Sequence, residues 1–417
     1  MPNFSIPLSG LTAESTALSA IANNLANQNT IGYKDTTVQF SDLFYQQLGS
    51  TGAGDPIQVG AGTEVGSLPS LFTQGSVETT GVPTDVAIQG SGFFSVQDST
   101  GVIAYTRAGD FSVDANNFLV TSEGQQVLGY PAVNGVVNSG AGVVPLQLGA
   151  GTISPPTATA NVQLTTNLNA TAAVGDTFST PITVYDSLGA AHVLTFNYTN
   201  TGPGAWTYAI TIPAADVGGT GNPVQIGTGN LTFDSNGNLL TPAANVAGIT
   251  IGPPNTTKLA DGAAPLSITW QLYNNGTGLL TQVAAPSSTS STNQDGSGSG
   301  SLVNFTINSD GTITGSFSNG KTQTLGQVAL ATFANNDGLQ LTGNTDYAPT
   351  LASGPAVVGT PGTGGRGTLS GGALEESNVD IATEFANLIV AQRGFEADAK
   401  AVTTFDQITQ DTIALKQ

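Results

Sequence analysis

Near the amino terminus the apolar residues recur on a helical spacing. Leu8, Leu11, Leu18 and Leu25 fall on a three-four alternation, with Ser15 and Ala22 at the intervening positions and Ile21 widening the stripe. A period near 3.5 predicts an amphipathic helix over residues 5–29, stopped by Gly32. The pattern returns over residues 373–417, where Phe385, Leu388, Phe395, Ala399, Val402 and Ile413 keep the alternation and Gln392, Asp406 and Thr409 interrupt it. Glu384, Arg393, Glu396, Asp398 and Lys400 occupy the other faces, and Asn378 or Asp380 is placed to cap the start. Helix throughout this stretch would be roughly 60 Å long.

The long middle changes period. It is rich in Val, Thr, Phe and Gly and is punctuated by Asn134-Gly135, Asn236-Gly237, Asp261-Gly262, Asn275-Gly276, Asp310-Gly311 and Asn319-Gly320, pairs that tolerate positive φ and close hairpins. "PITVYDSLGAAHVLTFNYT" (181–199) predicts two strands around a Ser-Leu-Gly turn, and "SLVNFTINSDGTITGSFSNG" (301–320) alternating strands around Asp310-Gly311. "SSTSSTNQDGSGSG" (287–300) has the composition of a flexible linker. The predicted fold class is mainly β with paired N- and C-terminal α-helices, the β domains being inserted between the two terminal helices. The expected divisions are a helical assembly domain (1–34 with 373–417), an extended connector or hairpin region (35–71), an inner β domain (72–150 with 301–372) and an outer β domain (151–300) with the linker at its end.

Charge narrows the partners. Eight basic residues against 28 acidic ones give a net charge of −20, which argues against nucleic acid and anionic membrane surfaces. No apolar run approaches the roughly 18 residues that span a bilayer, so no membrane insertion is expected. The amino terminus lacks the basic, apolar and small-residue pattern of a cleaved signal. Only 9% of residues are charged, and 54 glycines and 21 prolines suit turn-rich β structure with a polar, uncharged surface. The absence of cysteine excludes disulfides and thiolate chemistry, and the single histidine excludes a multi-histidine metal site.

Candidate chemistry fares poorly. "GTGGRG" (362–367) matches G-x-G-x-x-G but sits in a Pro/Gly/Thr stretch with no helix directly after it. "DSNGN" (234–238) starts like a calcium loop but has Leu239 at the sixth place and Asn245 at the twelfth, so it reads as a hairpin turn. Asp186, Ser187 and His192 lie on one hairpin, where strand geometry is expected to scatter them, leaving His192 a plain strand histidine. Arg107 is expected to pair structurally with Asp110 or Asp114. No catalytic, cofactor-binding or metal site is read, and no enzyme is expected.

A helix with little charge on any face is usually buried on several sides, which one partner helix does not achieve but neighbouring copies do. "SGLTAESTALSAIANNLANQNTIGYK" (9–34) resembles the signature of the bacterial flagellar rod and hook family, above all in Asn23, Asn24, Asn27, Asn29, Gly32 and Tyr33. "GVPTDVAIQGSGFFSV" (81–96), "YTRAGDFSVDANNFLVTSEGQQVLGYPA" (105–132), "LGQVALATFANNDGL" (325–339) and residues 372–408 are similar to further parts of that family. "VYDSLGAAHVLTFNY" (184–198) resembles the outer domain of its hook-type members, and the extra 150 residues or so (151–300) separate the chain from the shorter distal rod type. The resemblance implies a structural subunit of a flexible hollow tube that passes motor torque from rod to filament. Its implied partners are copies of itself, the distal rod protein, the hook cap, the hook–filament junction proteins and the flagellar export apparatus. Its implied location is extracellular, at the hook and basal body, reached without a cleaved signal. Leu11, Leu18, Ile21 and Leu25 are then expected to meet Phe385, Leu388, Phe395 and Val402, within or between subunits. A distal rod or other flagellar axial protein is the alternative within the family; a secreted β-rich adhesin is the alternative outside it.

Overall fold

The computed structural model describes residues 5–50, 54–148, 153–251 and 259–415. It is mainly β, with one long helix near each end: α1 (Ser5–Ala26) and α2 (Ile381–Ala414). The chain divides into two units, one of Met1–Ala150, Asn304–Gly315 and Gln323–Gln417, the other of Gly151–Val303 with Ser316–Thr322.

In the first unit the strand Gln126–Val133 is paired by Phe93–Gln97 on one side and by the end of Thr322–Val328 on the other. Val86, Ile88, Phe94, Val96, Leu119, Val127, Leu146, Ile313, Val328 and Leu330 close its main core. A smaller aromatic cluster holds Phe93, Tyr105 and Tyr347, with Phe72 set edge-on to Phe93 at 5.4 Å. The described part of 35–71 holds two antiparallel ribbons, Gln39–Asp42 with Thr63–Ser67 and Gln46–Ser50 with Pro56–Val59. The second ribbon buries almost nothing: Tyr45, Leu48, Ile57 and Val59 all stand exposed, as does neighbouring Phe44.

Both helices are shorter than their periodicity predicts. α1 stops at Ala26, where the Asn27 N–H donates to Asn23 and Asn24 carbonyls and its side-chain amide donates again to Asn23 O at 2.9 Å. α2 begins at Ile381 and runs 34 residues, about 51 Å. Ala373–Glu375, expected as helix, is instead a strand paired with Val77–Thr79. That pairing carries the Glu375 carboxylate inward, and a long-range contact outweighs local propensity. Asp380 is the cap, accepting from Thr383 N at 3.0 Å.

The second unit is a sandwich of two five-stranded sheets. One is a meander, Thr177–Tyr185, Ala191–Gly202, Ala205–Ile212, Val224–Phe233 and Leu239–Thr241. The other is built on Asn161–Asn169, which runs parallel to Leu266–Gln271 and Leu280–Val283 and antiparallel to Ser288–Gln294. Strict alternation of buried and half-buried residues along Asn161–Asn169 aims Val162, Leu164 and Leu168 into the core. There Trp270 packs against Phe196 at 4.9 Å and Tyr208 at 5.1 Å, with Trp206 also fully buried.

Three expectations fail in informative ways. Residues 287–300 are not a linker, because Ser288–Gln294 completes a sheet, its Thr289 hydroxyl 3.0 Å from that of Thr166. Composition speaks for a chain left alone, and a neighbouring strand supplies the partner composition omits. Arg107 pairs with Glu375, not with Asp110 or Asp114. Asp186 and His192 are brought together: the register Val184↔His192 sets the turn residue Asp186 beside the ring, its Oδ2 3.0 Å from Nε2. Burial works against the charge on Asp186, but hydrogen bonds from His192 and from the Ala190 and Leu188 N–H groups favour it and hold the carboxyl at about 2. Ser187 is not part of this contact; its hydroxyl accepts from Ala264 N at 2.9 Å. "DSNGN" is a hairpin turn, Asp234 Oδ1 accepting from Asn236 N and Asn238 N at 2.8 Å with Gly237 at φ +80°.

Both tryptophans of the chain lie in the sandwich core, so tryptophan fluorescence reports unfolding of the second unit alone. Phe196→Ala is expected to lower the stability read by that signal by about 3–5 kcal/mol in urea titrations. A destabilising change in the first unit is expected to leave it unmoved.

Candidate functional site

The two ends of the chain meet at a buried ion cluster. Glu375, on the short strand that precedes α2, is fully buried and receives Lys34 Nζ at 2.6 Å on Oε1 and Arg107 Nη1 at 3.2 Å on Oε2. Gly75 N also donates to Oε1, at 3.0 Å. Lys34 Nζ donates further to Thr73 O at 2.8 Å, and Arg107 Nη2 to Gly90 O at 2.8 Å. The Arg107 guanidinium lies 5.5 Å from the Phe93 ring centroid. Burial pushes the Lys34 ammonium and the Arg107 guanidinium below their ordinary pKa ranges, and Glu375 opposes the shift in both. Gly32 makes the approach possible. Its φ is +68°, its N–H donates to Glu375 O at 2.8 Å, and a Cβ there would lie 2.5 Å from Ala108 N.

The signature residues build the turn that leads from α1 into this cluster. The Asn24 side chain is 1% exposed. The two hydrogens of its amide nitrogen are shared among three acceptors, Asp35 Oδ1, Thr36 O at 2.9 Å and Glu384 Oε2 at 3.1 Å. Its oxygen accepts from Tyr33 OH at 3.0 Å and Thr36 N at 3.1 Å. Only an amide supplies two donors and two acceptor positions on one short stem, so aspartate or leucine would leave several of these groups unpaired. Burial raises the Asp35 carboxyl, and the Glu384 charge raises it further. Asn23 donates to Tyr33 OH at 3.0 Å, and Asn27 accepts from Thr30 Oγ1 at 3.1 Å. Asn29 is exposed. Sequence inspection missed Asn378 as a functional residue. Its amide donates to Leu71 O at 2.7 Å and its oxygen accepts from Asp35 N at 2.7 Å, which seats the segment before α2 on the connector.

α1 and α2 pack along each other, antiparallel. Asn24 meets Glu384, the Glu14 carboxylate lies against Gly394, and the Asp398 carboxylate lies against Gly10. The same register sets Ala17 opposite Ala391, both buried. Closest approach is thus made by small residues. Leu11, Leu18, Ile21 and Leu25 flank this line half-buried, as do Leu388, Phe395 and Val402, whereas Phe385 is 53% exposed. Beside the pair runs a groove of 320 Å³ lined by Ala17, Ile21, Val38, Phe40 and Val390 among others. Leu8, Ile381, Ile389, Val390, Ile408 and Ile413 add further exposed apolar surface to the two helices.

Two measurements probe this arrangement. Glu375→Gln leaves two buried cations without their counter-charge and is expected to cost about 3–5 kcal/mol of first-unit stability, read by hydrogen exchange at the Gly32 and Gly75 amides. Burial raises the Glu14 carboxyl and nearby Asp398 raises it further. The folded chain therefore binds this proton more readily than the unfolded chain, and helix pairing is expected to strengthen as pH falls through the raised value toward the ordinary carboxylate range. Melting of the helical circular dichroism signal at pH 4.5 and 7 checks the sign, and Glu14→Gln is expected to flatten the difference.

Four family models match along the chain: a flagella basal body rod protein segment at residues 6–34, a flagellar hook protein FlgE/F/G D1 domain at 87–169, a flagellar basal body protein FlaE D2 domain at 156–297, and a flagellar basal body rod FlgEFG protein C-terminal segment at 370–415. The chain is 36% identical to the flagellar hook protein FlgE of Salmonella typhimurium over 99% of its own length and 100% of that protein's, and 36% identical to the Escherichia coli K12 flagellar hook protein FlgE over the same shares. It is 35% identical to the flagellar hook protein FlgE of Treponema pallidum over 98% of both chains. A crystal structure of Helicobacter pylori flagellar hook protein FlgE2 aligns with 70% of this chain and 98% of its own at TM-score 0.46 and 15% identity. A rod-type helix signature at one end, its C-terminal counterpart at the other and both hook β domains between them leave one conclusion: the chain belongs to the flagellar hook protein family, as a structural subunit of the hook and basal body.

Proposed function

We propose that the chain polymerises through its two terminal helices into the wall of a hollow, flexible tube, and that it works there as a mechanical coupling with no catalytic step. The observation that carries this reading is the half-finished helix pair. α1 and α2 satisfy each other along a line of small residues, and they leave Leu8, Phe385, Ile389 and Val390 in water. Surface of this kind on a 34-residue helix marks an interaction site. A second copy is the occupant that family membership favours. Leu11, Leu18, Ile21 and Leu25 with Phe385, Leu388, Phe395 and Val402 then form the shared wall, and the groove over Val38 and Phe40 takes a side chain or helix edge from a neighbour. The exposed ribbon with Tyr45, Leu48 and Ile57 supplies a second contact.

The middle of the chain fits the outside of such a tube. Its surface is polar and sparsely charged, which favours contacts that slide as the tube bends over contacts locked by ion pairs. Contacts with a distal rod protein at the base, a cap during growth and junction proteins at the far end complete the reading. So does passage through the flagellar export apparatus to the cell exterior without a cleaved signal.

Leu18→Asp is expected to abolish polymers seen by negative-stain electron microscopy while the tryptophan signal of the second unit stays native. Normal polymers from that variant would remove the helices from the interface. In cells lacking the gene, rods that end without hooks are the expected phenotype, and intact hooks would overturn the reading.

A further inference from the structure

One polar cluster in the second unit is not used by the proposed function. His192, on the strand Ala191–Gly202, is 6% exposed, and Asp186, in the turn before that strand, is fully buried. His192 Nε2 faces two carboxylate oxygens at once, Asp186 Oδ2 at 3.0 Å and Asp261 Oδ2 at 3.9 Å. The three atoms lie within 4.8 Å of one another. A single N–H serves one of those oxygens and leaves the other facing a like charge. Among the described residues, the ring is the one cationic group within ion-pairing distance of these carboxylates.

Each of the three converging atoms is oriented by a bond on its far side. Asp186 Oδ1 accepts from Leu188 N at 2.8 Å and Ala190 N at 2.9 Å. Asp261 Oδ1 accepts from Ala263 N at 3.0 Å. His192 Nδ1 lies 3.1 Å from Asp216 Oδ2, so a proton on Nδ1 has its acceptor and the Nε2 lone pair is free to point at the two carboxylates. A carboxylate behind the distal nitrogen of a ligating histidine, and hydrogen bonds behind ligating carboxylates, are the outer partners that orient metal ligands.

We propose that Asp186, His192 and Asp261 form a divalent transition-metal site in the second unit, with Asp216 orienting the histidine. One nitrogen and two oxygens are a donor set suited to Zn²⁺ or Co²⁺, with a fourth position left to water. Ligand atoms about 2.0–2.1 Å from a tetrahedral ion stand about 3.3–3.4 Å apart, and the separations of 3.0 and 3.9 Å bracket that value. Binding replaces the Nε2 proton, which is released to solvent, and relieves the repulsion between the Asp186 and Asp261 oxygens. The ion would cross-link three segments, namely the 186–190 turn, the His192 strand and the loop around Asp261. The proposal does not depend on the assembly reading, and either stands if the other falls.

The test uses the full chain, stripped with EDTA and titrated at pH 7.5 with Co²⁺ and then Zn²⁺. One saturable equivalent is expected, with a visible Co²⁺ d–d band bleached by Zn²⁺ and a rise in the thermal midpoint read by tryptophan fluorescence. Asp261→Asn keeps the hydrogen bonds among Asp186, His192 and Asp216 and removes one of two facing charges, so its metal-free midpoint is expected to be no lower than the parent's while affinity falls at least tenfold. His192→Gln is expected to bind no metal. Absence of a saturable equivalent, or undiminished binding by Asp261→Asn, would overturn the site and leave the cluster an imidazolium held between carboxylates.

Discussion

A fully buried carboxylate with two cations on it is expensive to build, and this chain builds one where its two ends cross. Glu375 lies 341 residues beyond Lys34 and 268 beyond Arg107, and all three are closed to water. Net stabilisation by such a cluster is small beside an apolar replacement, but removing any one member exposes the others to the full desolvation penalty. The geometry is therefore all-or-none. With Glu375 in place, the strand before α2 is pinned, Gly32 closes the turn after α1, and the two helices start from fixed points on the same β scaffold. The Asn24 network repeats the logic one step outward, with Tyr33, Asp35, Thr36 and Glu384 gathered on one side chain.

Fixing the helix roots matters because the helices do not complete each other. Glycine and alanine at the line of closest approach let the backbones come near, which is how facing helices gain contact without long side chains between them. The larger residues are pushed to the flanks and outward. The helix pair therefore carries apolar surface, Leu8, Phe385, Ile389 and Val390 among it, that stands in water in the single chain.

The second unit follows other rules. Its sandwich is closed by tryptophan and tyrosine packing, strands such as Asn161–Asn169 and Ala205–Ile212 alternate strictly, and its polar surface is rich in threonine, serine and asparagine. Ion pairing there is concentrated around His192. The terminal helices and the β-sandwich thus belong to separate units of one chain, each with its own core.

By itself the sequence determined the broad plan: helical period at both ends, strand alternation and turn pairs between, and a signature rich in asparagine that pointed to the family. These were legible because helix and strand periods, Asn-Gly turns and short motifs are local, and local geometry decides them. The tertiary structure decided what depends on residues far apart in the chain. It turned Ala373–Glu375 from helix into strand, because a buried carboxylate there answers two cations. It turned a Ser/Thr linker into a sheet strand, because Asn161–Asn169 offered unpaired backbone. It set alanine and glycine at the line of closest helix approach, with the leucines half-buried beside it, because backbone approach as well as hydrophobicity selects the facing side. And it gathered Asp186, Asp216 and Asp261 around His192 from two turns and a short 3-10 helix, a proximity that follows from sheet register and the placement of these connections and leaves no mark in spacing.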